Sequence, residues 1–244
     1  MGEPRIVCRF SCGAASAVAT KLTLAKFDRE RVVITYSDPG SEHPDNKRFL
    51  ADCVRWFNHP IETLRSTEYR DTWHVFEKER FLVGHQGAKC TGVLKRAPTY
   101  DFQQPGDILV FGYTAEEKDR AERFRRQNFE QPFLTPLIEA GLTKVDCLAM
   151  VDRAGIELPA MYRLGYHNNN CIGCVKGGMG YWNKIRKDFP EVYERMAALQ
   201  RDLGPGSYFW SERKTGERIS LDALDPNRGN HDEEPNIECS LMCH

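Results

Sequence analysis

Two cysteines stand two residues apart at Cys171 and Cys174, and Cys90, Cys239 and Cys243 lie in distant parts of the chain. Two thiolates at this spacing can bind one metal ion or one edge of an iron–sulfur cluster, and the remaining ligands must then come from other segments. We predict that Cys90, Cys171 and Cys174 are metal ligands, with Cys243 as a candidate fourth. Cys239 and Cys243 are also candidates for a catalytic thiol that attacks a substrate. Zinc is the less favoured metal, because zinc ribbons normally carry a second C-x-x-C pair.

A run of small residues lies between a predicted strand and a predicted helix near the start of the chain. Small residues let the backbone approach a ligand closely, and the first turn of a helix offers unpaired N–H groups to a phosphate or sulfate. A tight turn that merely packs small side chains is the alternative interpretation. We predict that five residues of this run bind a nucleotide: Ser11, Cys12, Gly13, Ala14 and Ser16.

Three other segments carry candidate binding residues. Asp38 follows the second predicted strand and is a candidate partner of a ribose or an adenine, while Gly112 and Arg120 follow the fourth strand. Lys95 belongs to a basic segment close to Cys90, and we assign it a catalytic role beside a sulfate or phosphate. Each segment has an alternative interpretation without a ligand. For Asp38 it is a turn followed by a helix cap, for Arg120 a solvated helix face with i,i+4 ion pairs, and for Lys95 a basic surface loop.

The elements that must position these residues alternate along the chain. Strands are predicted over residues 5–11, 31–36, 61–64 and 107–113, and helices over 14–27, 44–57, 116–129 and 190–203. Residues 176–180 are predicted to form a loop, and residues 226–235 a polar, flexible lead to the terminal cysteines. This alternation predicts a Rossmann-like α/β fold, a parallel sheet sandwiched by helices. We divide the chain into an α/β nucleotide-binding domain, residues 1–166, and a Cys-rich helical and loop extension, residues 167–244.

The composition narrows the class of protein. The 244 residues include 28% charged and 41% hydrophobic residues, and the net charge of -1 argues against a general nucleic-acid binder. No apolar run approaches the length of a membrane span and no signal peptide is visible, so we expect a cytoplasmic protein without a membrane partner. In that compartment, nine cysteines favour metal, cluster or redox chemistry over disulfides. Cys8, Cys53 and Cys147 lie among apolar residues and are predicted to be buried.

The order of these motifs resembles that of the phosphoadenosine-phosphosulfate (PAPS) reductase family, in the PP-loop, adenine-nucleotide α-hydrolase-like superfamily. Residues 11–18 (SCGAASAV) resemble the family's phosphate-binding loop, and Cys90 with Lys95 and Pro98 resembles its C-x-x-x-x-K-x-x-P segment. Residues 112–120 resemble its glycine–acidic–basic segment, and residues 238–244 its E-C-G-x-H tail. Ala15 stands where the ATP-pyrophosphatase version of the loop has Asp, which favours a reductase-like site over ATP cleavage.

The resemblance implies a HUP-type Rossmann-like domain that reduces an adenylyl sulfate (APS or PAPS) to sulfite. Cys239 would attack the sulfur, and a second thiol, from Cys243 or a thioredoxin-like protein, would release sulfite. The resemblance also implies a 4Fe-4S cluster and is compatible with a homodimer. One departure concerns the ligands: cluster-bearing members have two adjacent cysteines where this chain has Lys89 and Cys90.

Two alternative functions remain open. Three cysteine ligands would leave one iron without a protein thiolate, as in related cluster-dependent tRNA-thiolating enzymes. ATP-dependent modification of a nucleic-acid base is therefore the first alternative. The second is a zinc-stabilised nucleotide-binding protein without catalysis.

Overall fold

The computed structural model describes residues 3–85, 87–237 and 239. Its strands are β1 (Ile6–Phe10), β2 (Val32–Ser37), β3 (Glu62–Leu64), β4 (Val83–Gly84), β5 (Gly87–Ala88), β6 (Ile108–Val110), β7 (Phe133–Leu134), β8 (Trp210–Ser211) and β9 (Arg218–Ile219). The central sheet has five parallel strands in the order β3-β2-β1-β6-β7, and two small antiparallel hairpins, β4–β5 and β8–β9, lie outside this sheet.

Helices cover both faces of the sheet. They are α1 (Ala14–Lys26), α2 (Asn46–Phe57), α3 (Thr72–Glu79), α4 (Ala97–Phe102), α5 (Lys118–Gln127), α6 (Pro136–Glu139), α7 (Lys144–Arg153), α8 (Ala160–Arg163), α9 (Met179–Asp188) and α10 (Pro190–Leu203). The apolar residues of α1, α2 and α7 pack on one face, and those of α4 and α5 pack on the other. The predicted α/β fold with a parallel sheet between helices is therefore confirmed.

The central strand β1 has the burial typical of a parallel sheet, and its position indicates where a ligand can bind. All five of its residues are buried, as expected for a strand covered on both faces. It pairs with β2 on one side and β6 on the other, so the strand order reverses there. Ligands of open α/β sheets bind beyond the carboxyl ends of the strands at such a reversal.

Helix α1 follows β1 closely, and eight of its 13 residues are buried. Its residues are mainly Ala, Leu and Thr, and it ends where Phe27 takes an extended conformation. The hydroxyls of Thr20 and Thr23 donate to the carbonyls of Ser16 and Ala19, four residues earlier, at 2.8 Å. These bonds satisfy both hydroxyls without solvent, and a polar pair can therefore lie inside the core.

A second hydrophobic cluster lies outside the sheet. It joins residues between Tyr69 and Leu94 with residues between Met161 and Leu224, and Trp182 is fully buried at its centre. The segment that carries Cys90 therefore packs against the Cys-rich extension. The division of the chain at residue 166 stays a prediction.

Several element boundaries differ from those predicted. Strand β7 has only two residues, and its brevity hid it from the sequence pattern. Helix α9 begins at Met179 inside the predicted loop 176–180, because Glu234, distant in sequence, accepts from two N–H groups in its first turn. Cys8, Cys53 and Cys147 are at most 1% exposed, which confirms their predicted burial. Among the described residues, no helix has both the length and the apolar character needed to cross a membrane.

Candidate functional site

An open cleft of about 1340 Å³ lies beyond the carboxyl ends of β1 and β6. Of the predicted nucleotide-binding residues, the cleft is lined by Ser11, Gly13, Ser16, Gly112 and Arg120, and it is also lined by Lys95 and Cys239. The structure thus brings together residues from four separate parts of the sequence.

The loop between β1 and α1 is held in shape by its own serines. The hydroxyl of Ser16 accepts from the backbone N–H of Ser11 at 3.0 Å and donates to the carbonyl of Gly13 at 3.0 Å. The hydroxyls of Ser11 and Ser16 are 3.1 Å apart. Cys12 takes a left-handed conformation with φ of 57°, which turns the chain sharply into the helix. The first N–H groups of α1 consequently face the cleft, where an anion can accept from them.

Gly112 allows the chain after β6 to approach this loop. A Cβ atom at position 112 would lie 2.8 Å from both the backbone N and the Cα of Ser16. Backbone atoms cannot give way as a flexible side chain can, so Gly112 is required by close packing beside the first turn of α1.

Two basic side chains, Arg120 and Lys144, line the cleft together with Glu116 and Glu117. The guanidinium of Arg120 lies 4.8 Å from the ring centroid of Tyr113 and pairs with Glu117 at 2.5 Å. Lys144 donates to the side-chain oxygen of Asn168 at 2.8 Å and to the carbonyl of His167. Both cations are therefore held in position by the protein.

Three predicted nucleotide-binding side chains do not line this cleft. Asp38 accepts from Arg65 at 2.5 Å and from the N–H of Gly40 at 2.8 Å. Cys12 is fully buried with its sulfur 3.6 Å from the carbonyl of Asn46, and Ala14 is 1% exposed. Cys12 and Ala14 shape the loop through their backbone, and Asp38 fixes the turn after β2.

Four cysteines line one cavity next to the cleft: Cys90, Cys171, Cys174 and Cys239. Cys171 and Cys174 lie on a turn in which Gly173 has φ of 73°, and a Cβ atom there would lie 2.6 Å from Val192. The hydroxyl of Tyr181 accepts from the N–H of Cys174 at 3.0 Å and donates to the carbonyl of Cys171 at 3.3 Å. Cys243, the predicted fourth ligand, lies outside the described residues.

The strap, residues 230–237, leads the chain back to this cavity. The carboxylate of Glu234 accepts from the N–H groups of Gly180 at 2.6 Å and Tyr181 at 3.0 Å, at the start of α9. The carbonyl of Ile237 accepts from the side-chain amides of Asn168 and Asn170 at 3.3 and 3.0 Å. The predicted flexible lead is therefore anchored in the structure, and its anchors explain why Cys239 reaches the other thiols.

Lys95 is the cation at the junction of the cavity and the cleft. Its side chain is 11% exposed, and its ammonium lies 3.3 Å from a carboxylate oxygen of Glu42, which is 4% exposed. Burial alone would lower the pKa of Lys95, but the charges of Cys239 and Glu42 raise it well above its ordinary value. Lys95 is therefore an ammonium at neutral pH.

The four thiols differ in their acidity. Burial raises the pKa of Cys90 to about 12 and that of Cys174 to about 11, and it raises the pKa of Cys171 well above its ordinary value. Burial also opposes ionisation of Cys239, but Lys95, Lys176 and a hydrogen bond from Thr91 outweigh it and lower its pKa. The Thr91 hydroxyl is 3.6 Å from the sulfur of Cys239.

The chemistry of the four thiols suits two kinds of metal group. Thiolates bind zinc in a tetrahedral arrangement, and they also hold iron–sulfur clusters. The donor set that lines the cavity is thiolate throughout. His167, His231 and Asp232 form a separate group, in which one ligand atom of each residue lies within 4.8 Å of the others.

Three polar residues important to the site are not predicted by the sequence pattern: Arg9, Asn169 and Glu234. Asn169 donates to the carbonyl of Cys12 at 2.7 Å and to the side chain of Asn46 at 2.8 Å, which ties the segment before Cys171 to the loop after β1. The signal available for Arg9 was a charged residue inside an otherwise apolar strand. Partners as distant as those of Asn169 and Glu234 leave no local signal.

Comparison with known proteins gives limited information. No protein-family model matches the chain. A curated relative, the uncharacterized protein MJ0066 of Methanocaldococcus jannaschii, is 22% identical over 204 residues. The match covers 81% of this chain but only 42% of that protein's length. The chain is thus similar to part of a longer archaeal protein.

Proposed function

We propose that this chain is a cytoplasmic enzyme of the PAPS reductase type that converts an adenylyl sulfate into sulfite and a nucleotide. One observation carries the proposal: Cys239 and Lys95 line both the cleft beside the loop 11–16 and the cavity of the four cysteines. A nucleotide bound in the cleft would present its terminal sulfate to a thiol and an ammonium. This juxtaposition is what a sulfur transfer from a nucleotide to a thiol requires.

The proposed reaction has two steps. In the first, the thiolate of Cys239 attacks the sulfate sulfur, an S–S bond forms, and the bond from that sulfur to the phosphate oxygen breaks, with the electron pair leaving on the nucleotide. The ammonium of Lys95 stabilises the charge that develops between sulfate and phosphate. In the second, another thiol attacks the sulfur of Cys239 and releases sulfite. Two thiols are oxidised to a disulfide, and the sulfur is reduced by two electrons.

The second thiol belongs either to Cys243 or to a thioredoxin-like protein. Cys90, Cys171 and Cys174 would hold a 4Fe-4S cluster, and their shared cavity and thiolate chemistry support that assignment. A cluster bound there would link the segment of Cys90 to the Cys171–Cys174 turn beside the cleft. The residues around it have separate tasks: Tyr181 orients the turn between Cys171 and Cys174, and Lys95 stays available to the substrate.

The first test is anoxic purification, with iron, acid-labile sulfide and zinc counted per chain and the visible spectrum recorded. Sulfite release from APS and from PAPS is then measured with a dithiol reductant. We expect iron with matching sulfide, and sulfite formation that Cys239→Ser abolishes and Cys147→Ala, a buried cysteine outside the cavity, leaves intact. A loaded cluster with no sulfite from either substrate would contradict the proposal.

ATP-dependent modification of a nucleic-acid base is the second candidate, and one observation favours it. Cys90, Cys171 and Cys174 line a single cavity that shares residues with the cleft, so three thiolates could hold a cluster and leave one iron open next to the nucleotide. The two hypotheses differ in the reaction that depends on the cluster. Under the first, sulfite is released from an adenylyl sulfate and Cys239→Ser keeps its iron but loses turnover; under the second, ATP is consumed in the presence of a nucleic acid and Cys171→Ser loses both iron and turnover. Zinc alone in all preparations would favour a nucleotide-binding protein without catalysis.

A further inference from the structure

Arg9 is a charged residue buried in the central strand of the sheet. It is 5% exposed, and both of its hydrogen-bond partners are neutral: Thr35 accepts at 3.3 Å and Gln103 at 3.1 Å. Its Nε atom is buried and has no hydrogen-bond partner among the described residues. The guanidinium is therefore only partly satisfied by the protein.

No carboxylate neutralises this charge. Within the described residues, Arg9 forms no ion pair within 4.0 Å, and the carboxylate of Asp107 is bound by Arg5 through two hydrogen bonds of 2.9 and 2.7 Å. Burial lowers the pKa of Arg9 to about 10, so the group is still charged at neutral pH. An unpaired buried charge is strongly unfavourable, and proteins seldom retain one without a counter-charge from elsewhere.

The position of Arg9 indicates where the counter-charge comes from. Arg9 lines the same cleft as Ser11, Gly13 and Ser16, and it lies two residues before Ser11 at the carboxyl end of β1. An anion in this cleft would face the N–H groups of α1 and the buried guanidinium together. Both features favour negative charge, and they arise independently in the fold.

We infer that Arg9 is the buried counter-charge for an anionic group, a phosphate or a sulfate ester, of the nucleotide that binds in this cleft. The inference rests on the proposed function for the nucleotide, but the anion site itself follows from the charge and burial of Arg9. The Arg9 site is therefore specific for the charged part of the ligand and indifferent to its base.

Substitutions of two arginines, Arg9 and Arg5, test the inference. Arg9→Met removes an unpaired charge, so we expect the ligand-free protein to unfold at the same or a higher temperature. The affinity for APS, measured by calorimetry, should fall roughly 10- to 100-fold, the loss typical of a charged interaction. Arg9→Lys should recover part of that affinity, and the affinity for uncharged adenosine should not change. Arg5→Met is the matched control: it breaks the pair with Asp107, so it should lower stability and leave the APS affinity unchanged.

The outcomes separate this inference from the proposed function. If Arg9→Met loses stability or fails to fold, or keeps the full affinity for APS, Arg9 has a structural role and the inference is overturned. If the wild type binds neither APS nor PAPS, but inorganic sulfate or phosphate raises its unfolding temperature and not that of Arg9→Met, the anion site stands and the proposed function fails.

Discussion

Lys95 and Glu42 form the most deeply buried ion pair next to the candidate site. Glu42 is further held by the hydroxyl of Tyr36 at 2.7 Å and the side-chain amide of Asn46 at 2.8 Å. These bonds hold the carboxylate in place, and the carboxylate in turn orients the ammonium of Lys95. The pair therefore has two separable roles, one in stability and one in the chemistry at Cys239.

Replacement of Lys95 separates those roles. Lys95→Met leaves Glu42 buried without its cation, so we expect the free energy of unfolding to fall by about 3–5 kcal/mol, measured by urea denaturation. The double variant Lys95→Met, Glu42→Gln removes both charges and should recover most of that stability. Neither variant should turn over substrate. Full activity in the double variant would show that Lys95 acts only on the fold.

At the scale of elements, the carboxylate of Asp45 joins the start of α2 to the start of α8. The carboxylate of Asp45 accepts from Arg48 at 2.7 and 2.8 Å and from the N–H of Ala160 at 2.9 Å. The hydrogen bonds from Arg48 lower the pKa of Asp45 from 3.8 to about 2. Because the pKa is lower in the folded state, Asp45 stabilises the fold above its unfolded pKa, and this contribution is lost as the pH falls through about 2.

We expect Asp45→Asn to lower the free energy of unfolding by on the order of 1–2 kcal/mol at neutral pH, a value reduced for the partial exposure of the pair. The difference between wild type and variant should shrink below pH 3.8 and vanish near pH 2, as followed by denaturant titration at several pH values. A difference that stays constant over this range would mean that the ionised state of Asp45 is unimportant.

The strap gives a second prediction at this scale. Glu234→Gln removes the charge that caps α9, so the strap should detach more often and expose Cys239. We expect faster alkylation of Cys239 in the metal-free protein, read by mass spectrometry, with little change in the far-ultraviolet circular dichroism. Its neighbour Glu233 is exposed, so Glu233→Gln is the control and should alkylate at the wild-type rate. Equal rates in both variants would show that Glu234 does not hold the strap.

At this scale, the sequence predicts an element well when the residues that determine it are close together in the chain. Helix α10 has an apolar face, and Asp188, Pro190 and Gly204 indicate its two ends in the sequence; the structure has it over Pro190–Leu203. The Cys171–Cys174 turn and the loop at residues 11–16 were likewise visible as local patterns. The start of α9 and the path of the strap depend on Glu234, whose partners Gly180 and Tyr181 are 54 and 53 residues away. No local pattern encodes such contacts.

At the scale of the whole molecule, the cleft and the cysteine cavity are neighbours that share residues. Lys95, Asn170 and Cys239 line both, and they come from three distant segments of the chain. Asn170 also donates to the strap, and Asn169 beside it donates to the loop that begins α1. Shared residues and hydrogen bonds between neighbouring residues therefore connect the two sites, and we expect ligand binding at one site to affect the affinity of the other.

This connection predicts reciprocal coupling between the nucleotide and the metal group. If a bound cluster fixes the Cys171–Cys174 turn and with it Asn170, which lines both sites, the nucleotide should bind more tightly to the loaded protein than to the metal-free protein. Thermodynamic linkage then requires the nucleotide to strengthen retention of the cluster by the same factor. Calorimetry of APS binding to both forms, together with iron release to a chelator with and without APS, measures the two halves. We expect both to change by roughly 5- to 150-fold, the usual range of such coupling. Equal APS affinities in the two forms would mean that the coupling free energy between the cleft and the cavity is zero. The metal group would then have only a structural role.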